Sequence, residues 1–416
     1  MANSPGSSDR TRRHNLSRIL TALHHDGPRT RAELTRLTGL NRSTVGTLTG
    51  ELRQLGLAFE TSGTDGGTVG RPSPLVQPDA GVAVLTVNPD IDAITLGLVG
   101  LGGTVHKRVR FETDAIPTVR EMIKIVTAVV DGMRSELDDR YSVLGVGVAV
   151  PGLVRTSDGV VTLAPHLGWH DEPLTAPLTE ALGYPAQAAN DARVGTIAES
   201  IYGAGRGVRQ MIYLNGSASG IGGGVRVDGR TIQGAHGYAG ELGHTVVNSS
   251  GRPCHCGRTG CLETEVSRAP ILELLAVESN RADDLDQLLA ASDDPAVHAE
   301  IARQLDWIAV ALGNLIGIFN PELIILGGFL GSLYAADPER LKRGVRQQAF
   351  APRVCDLSIQ RAELGTQLLT VGAAELVFAD LLADPSAHRP LRMRPQGLKI
   401  DNTKAVINNV VETTGG

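Results

Sequence analysis

The chain has 416 residues, 42% hydrophobic, 20% charged and 3% aromatic, with 50 glycines and four cysteines. That length predicts two or three domains, and the balance excludes a disordered chain. The opening residues have no apolar core and so exclude a secretory signal. The longest apolar stretch, Ile308 to Leu326, is broken by Asn314, Asn320, Pro321 and Glu322, which excludes membrane insertion. The net charge of −6 conceals a basic start: residues 1–72 hold ten arginines against six acids, an excess of +4 that leaves −10 on the remainder. Either the head meets a polyanion or the arginines are scattered by chance on a solvated surface.

After a disordered tail over 1–11, Leu16, Ile19, Leu20 and Leu23 recur at helical spacing and predict a first helix ended by Gly27-Pro28. Thr30 and Glu33 form a capping box for a short second helix that turns Leu34 and Leu37 to the core and stops at Gly39. Asn41 caps a third helix with Val45, Leu48, Leu52 and Leu55 inward and Arg42, Ser43, Thr44, Thr47 and Thr49 outward. Short helix, glycine turn and polar-faced helix are the helix-turn-helix plan. The short donors and one long cation suit phosphates and base edges in a major groove. Leu57 to Glu60 as a strand and Thr61 to Gly70 as a turn make a wing, followed by Arg71, a candidate for the minor groove. The winged helix-turn-helix is expected over 12–75; a small dimerisation bundle is the alternative, against which the cap, wing and arginine excess weigh.

Beyond residue 80 the pattern becomes strands and glycine turns. Val82–Val87, Ala93–Val99 and Thr104–Phe111 read as a meander, Glu121 to Leu137 as an amphipathic helix and Val143–Val150 as a buried strand. A second meander at Met211–Leu214, Gly222–Val227 and Arg230–Gln233 lies about 120 residues later, so the α/β body reads as a duplication with a cleft between its lobes. Lobe I is expected over 80–190 plus 365–385, lobe II over 191–364 and a C-terminal tail over 387–416.

Three cysteines fall within eight residues, in Pro253-Cys254-His255-Cys256-Gly257-Arg258-Thr259-Gly260-Cys261, and His244 lies shortly before. Together His244, Cys254, Cys256 and Cys261 make a closed Cys3His set for a structural zinc ion in a reducing compartment, the cytoplasm. Three free buried thiols are the alternative. His255 is a substitute ligand or simply exposed, and Cys355 stands alone. Asp191, after Asn190 at a strand-to-helix junction, is either a general base or a helix cap. Glu241 and Glu263 flank metal ligands closely enough to be held for sugar hydroxyls, or to support the ligands instead. Gly168-Trp169 is placed either near the cleft or, as is commoner for such a side chain, with Trp169 packed in a core.

Ala239-Gly240-Glu241-Leu242-Gly243-His244, the Cys-x-Cys-Gly-x-x-Gly-Cys-x-Glu run, Asn190-Asp191, Val150-Pro151-Gly152 and Asn320-Pro321-Glu322 resemble the ROK family of repressors and sugar kinases. With the head attached, the chain resembles that family's NagC/XylR-type transcriptional regulators from about residue 12 to about 380. The resemblance implies an actin-like, ribonuclease H-like two-lobed fold, a homodimer or homotetramer, operator DNA as partner and a sugar or sugar phosphate as effector. Carried over by position, Asn190, Asp191, Glu241, His244 and Glu263 would contact the sugar, with Asp191 the base of the kinases and His244 serving metal and sugar together.

One departure bears on activity. Where the kinases carry Asp-x-Gly-Gly-Thr for the ATP phosphates, this chain has Asn88-Pro89-Asp90-Ile91-Asp92, with no glycine, one missing N–H and two carboxylates. A second phosphate loop survives in part as Ala218 to Gly224. Because phosphoryl transfer rests on positioning and charge neutralisation, Asp191 is expected to be a vestigial base. The leading expectation is a sugar-responsive repressor; the others are a kinase with a DNA-binding head and a regulator controlled by protein contact.

Overall fold

The computed structural model of the chain describes residues 7–61, 74–277, 285–349 and 356–389. The head comprises α1 (Ser7–Asp26), β1 (Arg29–Thr30), α2 (Arg31–Thr38), α3 (Arg42–Gln54), β2 (Ala58–Thr61) and β3 (Leu75–Pro78). Both caps form as the residue types dictate: Thr30 and Glu33 close a capping box on α2, and Asn41 accepts from the Thr44 N–H on α3. β1, β3 and β2 make a small antiparallel sheet beside the helices. The expected wing turn and Arg71 fall largely within 62–73, and Arg71 wholly so, outside the described residues.

The head departs from expectation in four places. Its first helix begins at Ser7, inside the segment 1–11 expected as a tail, and its last strand runs to Pro78, past residue 75. Leu37 is 55% exposed, because α2 turns Leu34 and Thr38 inward instead. Thr38 tolerates burial by donating its hydroxyl to the Leu34 carbonyl at 2.6 Å. Thr49, expected on the outer face, is 1% exposed: the inward stripe is Val45, Leu48, Thr49 and Leu52, and its hydroxyl is bonded to the Gly46 carbonyl.

Lobe I contains β4 (Val82–Pro89), β5 (Ala93–Gly100), β6 (Thr104–Glu112), α4 (Val119–Arg140), β7 (Ser142–Val150), β8 (Leu153–Arg155), β9 (Val160–Ala164), β10 (Trp169–Pro173), α5 (Thr175–Leu182) and β11 (Ala186–Asn190), and α6 (Asp191–Tyr202) leads from it onto lobe II. Lobe II follows with β12 (Met211–Ser217), β13 (Gly220–Val227), β14 (Arg230–Thr231), α7 (Leu262–Glu265), α8 (Ala269–Leu274), α9 (Leu285–Ala291), α10 (Pro295–Phe319), β15 (Leu323–Gly328), α11 (Phe329–Ala336), α12 (Pro338–Gln348) and β16 (Ser358–Arg361). The chain then returns to lobe I as α13 (Leu368–Ala383).

Sheet I is ordered β6-β5-β4-β7-β11 and sheet II β14-β13-β12-β15-β16. Each is an antiparallel meander followed by two parallel strands, so both carry one topology, that of a duplicated ribonuclease H-like, actin-like fold. The central strands of each sheet are apolar along most of their length, as parallel strands covered on both faces must be. α13 lies on sheet I and α6 on sheet II, and the two helices pack on each other between the lobes. By length and composition α10 and the 365–383 segment pass as membrane spans, yet both are packed as core helices. The small sheet β8-β9-β10 was not legible in the sequence. Trp169 packs in the lobe I core and donates from Nε1 to the Pro117 carbonyl at 2.9 Å.

Head and body share one apolar core. Leu16, Ile19, Leu20 and Leu23 of α1 join Val82, Val84 and Val99 of sheet I and Ala374, Val377 and Phe378 of α13 in a single buried cluster. Of the expected C-terminal tail, Ala387 ends a short 3-10 turn begun at Pro385, and 390–416 lie outside the described residues.

Candidate functional site

On α3, Arg42, Ser43 and Thr47 are exposed and Thr44 is partly so, placing a cation and short hydroxyls along the outer face. Their hydroxyls are not all free: Ser43 donates to the Asn41 side chain at 2.7 Å and Thr47 to the Ser43 carbonyl at 3.1 Å. Arg42 forms no ion pair among the described residues, unlike Arg12 and Arg31, which pair with Glu51 and Glu60.

In the body the junction of β11 and α6 places Asn190 and Asp191. Asn190, not Asp191, is the helix cap: its Oδ1 accepts from the Arg193 N–H at 3.1 Å and its Nδ2 donates to the Gly152 carbonyl. Asp191 accepts from the Ala192 N–H at 2.7 Å. Loss of water around it pushes its carboxyl from 3.8 up to about 7, and Asp90 and Glu241 add repulsion. Asn88-Pro89 ends β4 and Asp90 opens the turn into β5, where the Asp90 N–H is bonded to the Ala93 carbonyl.

A carboxyl held this way contributes stability that is complete below 3.8 and is lost as pH rises to about 7, because the unfolded chain releases the proton first. The variant D191N keeps the acceptor oxygen without the charge. It should be more stable than the parent at pH 8, by about 1–3 kcal/mol, and gain little at pH 4. Urea denaturation at both pH values measures this; a gain at pH 4 as large as at pH 8 would contradict it.

The cysteine run folds as a knuckle. Cys254 and Arg258 are joined by a 2.8 Å backbone hydrogen bond, and Gly257 turns back onto the Cys254 carbonyl. Gly260 takes a φ of +73°, and a Cβ there would stand 1.5 Å from the Asn248 carbonyl oxygen, so only glycine fits. The ligand atoms of His244, Cys254, Cys256 and Cys261 all lie within 4.8 Å of one another and could hold a metal ion. Cys254 Sγ is 3.6 Å from His244 Nδ1, and Cys256 Sγ is 3.6 Å from Cys261 Sγ.

α7 starts immediately after Cys261 and carries Glu263, whose Oε1 is 3.0 Å from Cys254 Sγ, 3.3 Å from His244 Nδ1 and 3.2 Å from His255 Nδ1. His244 therefore presents Nδ1 to the cluster and Nε2 to the cleft, where Glu241 Oε2 lies 3.9 Å away. Burial and the neighbouring Glu263 both raise the carboxyl of Glu241. His255 is exposed, yet with His244 and Glu263 it forms an overlapping group of possible ligands. Cys355 lies outside the described residues. Glu241, His244 and Glu263 thus form one contiguous line, with Asp191 near enough to feel the charge of Glu241.

The glycines of the expected second phosphate loop belong largely to β13. A Cβ at Gly222 would meet Ala192 and one at Gly224 would meet Thr196, so these two positions let α6 approach sheet II closely.

Sequence reasoning missed the joint between head and body. His24, 1% exposed at the end of α1, accepts at Nδ1 from the Gly102 N–H at 2.7 Å. Its Nε2 therefore carries the proton and donates to Glu375 Oε1 of α13 at 2.8 Å. Tyr202, at the end of α6, donates to the same oxygen at 2.7 Å. Burial pushes the Glu375 carboxyl up, but the two histidines and Tyr202 outweigh it and hold it below its ordinary value. Burial and His24 together push His25 from 6.5 down to about 4.

A winged helix-turn-helix docked on a two-lobed ribonuclease H-like body defines a regulator architecture built on a sugar-kinase fold. A model described as "ROK family" matches residues 87–380, and the chain belongs to that family. It is 28% identical over 378 residues to a xylose repressor of Caldicellulosiruptor bescii, covering 85% of this chain and 93% of that one. It is 33% identical to a glucokinase of Halalkalibacterium halodurans, covering 67% of this chain and 93% of the kinase. Among solved structures, a ROK family transcriptional regulator titled a homolog of the E. coli MLC protein superposes with a TM-score of 0.74 at 26% identity. That match covers 90% of this chain and 97% of the other.

Proposed function

We propose that the chain is a sugar-responsive transcriptional repressor: it binds operator DNA as a homodimer or homotetramer, and a hexose, amino sugar or sugar phosphate releases or retunes it. The observation that carries this reading is the single core shared by α1, sheet I and α13, with α13 packed on α6, whose first residues open on the cleft. A sugar bound across the cleft changes how α6 and α13 sit, and α13 holds α1. For release, the sugar must bind the DNA-incompetent arrangement more tightly. Relatives named xylose repressor over most of this chain's length support the same reading. Fluorescence anisotropy of labelled operator during titration with hexoses, pentoses, amino sugars and their phosphates tests it. Operator affinity unmoved by every one of them would sink the coupling.

In this reading Asp191, Glu241, His244 and Glu263 hold sugar hydroxyls, and Asn190 supports them from the helix cap. Zinc is the metal of the knuckle. A tetrahedron with Zn–S arms of about 2.3 Å has edges of about 3.8 Å, close to the 3.6 Å separations found between donors. When bound, the ion would fix the knuckle and keep its thiols ionised; His244, Cys254, Cys256 and Cys261 would hold it, leaving His244 Nε2 free for the cleft. The protein works in the cytoplasm, where those thiols stay reduced.

On α3, Arg42, Ser43, Thr44 and Thr47 face the major groove, with Arg71 as the further DNA contact. The variant R42A is expected to weaken operator binding about tenfold. If Arg42 contacts phosphate, it should also flatten the salt dependence by about one ion. Unchanged affinity and slope would remove Arg42 from the interface.

A second reading, a sugar kinase with a DNA-binding head, is favoured by one observation: Asp191 sits near 7, where a general base works best. The carboxylates and proline of Asn88 to Asp92 argue against it. Turnover of ATP with a panel of hexoses would decide for the kinase; its absence leaves the regulator.

A further inference from the structure

The chain holds a cavity of about 630 Å³ that none of Asp191, Glu241, His244 or Glu263 lines. Its walls come from all three parts of the molecule: His25 from the head, Gln187 and Glu375 from lobe I, Arg193 from α6, and Gln233 from lobe II. Arg193 is its unusual member. The side chain is 8% exposed, its Nε is buried without a hydrogen-bond partner, and it forms no ion pair among the described residues.

A buried guanidinium without an anion is costly, since desolvation goes uncompensated. Burial accordingly holds its pKa below the ordinary value. The carboxylates on the same wall do not relieve it, because each is committed elsewhere. Glu375 is bonded to His24 and Tyr202, Asp158 to Arg155, and Asp380 to Gln187. What remains is one unpaired cation on a mixed wall that it shares with these three carboxylates, with the amide of Gln233 and the hydroxyls of Thr156 and Ser157 beside apolar side chains.

We propose that this cavity is a second ligand site, distinct from the sugar cleft, for a small hydroxylated organic anion whose phosphate or carboxylate is anchored by Arg193. The planar fork of arginine suits either group, and the surrounding amides and hydroxyls suit a polyol chain. An anion seated here touches head, lobe I and lobe II at once, so it biases the angle of α1 against the body and with it the operator affinity.

The test is calorimetric titration of the full-length, zinc-loaded protein with glucose 6-phosphate and with gluconate, which separate a phosphate source from a carboxylate source. At least one probe should bind the parent, and R193Q should weaken that binding about tenfold or more, with R193K in between. Should R193Q fail to fold, A379E decides. Ala379 is an exposed wall residue of the cavity, so a carboxylate there repels the anion and leaves the core untouched. Titration of E263Q separates the two sites: anion binding should survive in that variant while glucose binding is lost. Anion binding equal in the parent, R193Q and A379E, no binding of either probe to the parent, or binding abolished by E263Q alone would each overturn the proposal. The glucose titration reports on the cleft independently.

Discussion

Stripping the metal with a chelator, or replacing Cys261 by serine, is expected to abolish the sugar response and to lower the melting temperature of lobe II by about 10 °C, equivalent to about 4 kcal/mol. The size follows from what the knuckle holds. Cys261 is fully buried at the position just before α7, and Glu263 stands two residues further on against Cys254 and His244. Once the four donors part, three groups that prefer a cation beside them lose it, and Glu263 and His244 lose their common frame in the cleft. Calorimetric melting and sugar titration, with the metal counted by atomic absorption, measure both consequences. One zinc per parent chain is expected. A chelated protein with an unchanged melting temperature and sugar affinity would remove the metal from both the fold and the site.

Glu375 should be the second most damaging single position. In E375A the Nε2–H of His24 and the hydroxyl of Tyr202, both now donating to one oxygen, lose their acceptor in the interior. His24 Nε2 still lies 3.0 Å from the Tyr202 oxygen and can donate there, so one buried donor, the Tyr202 hydroxyl, is left unpaired at a cost of about 1–3 kcal/mol. Operator affinity should fall as well, since α1 keeps its apolar contacts with α13 but loses the polar bond that fixes its end against it. The variant E375Q keeps an acceptor and should recover most of the loss. Acid should reproduce part of it in the parent. The unfolded chain protonates His25 near 6.5 and the folded chain only near 4, so stability is present above 6.5 and is lost as pH falls between those values. Glu375, held below its ordinary value, is also protonated more readily in the unfolded chain and pushes the same way. Urea melts at pH 8, 6 and 4.5, with H25Q as the variant of flattened slope, check the sign. Stability rising toward acid, or E375A as stable as the parent, would contradict this account of the joint.

Much of the head was legible because its determinants are local. The Thr30–Glu33 box, the Asn41 cap and the glycines after α2 and α3 act within one or two turns, and all stand where the sequence places them. The two side chains misplaced there, Leu37 and Thr49, show the limit of spacing arguments. A stripe of threes and fours leaves positions at its border, and only the neighbouring elements settle which side is dry. The cysteine run was legible for a similar reason, since three donors within eight residues can converge without help from the fold.

The chain order of residues by itself determined the caps of α2 and α3, the turn of the cysteine knuckle and the paired meanders, all features carried by near neighbours. The tertiary structure alone decided that α13 returns to cover sheet I and meets α6, and that head and body are joined in one core. It also decided that His24 finds an acid 351 residues away and that Arg193 is buried beside a cavity without an ion pair among the described residues. No periodicity encodes such pairings, because they depend on which surfaces are left to be buried once every sheet and helix has formed, and on what burial then costs each charge.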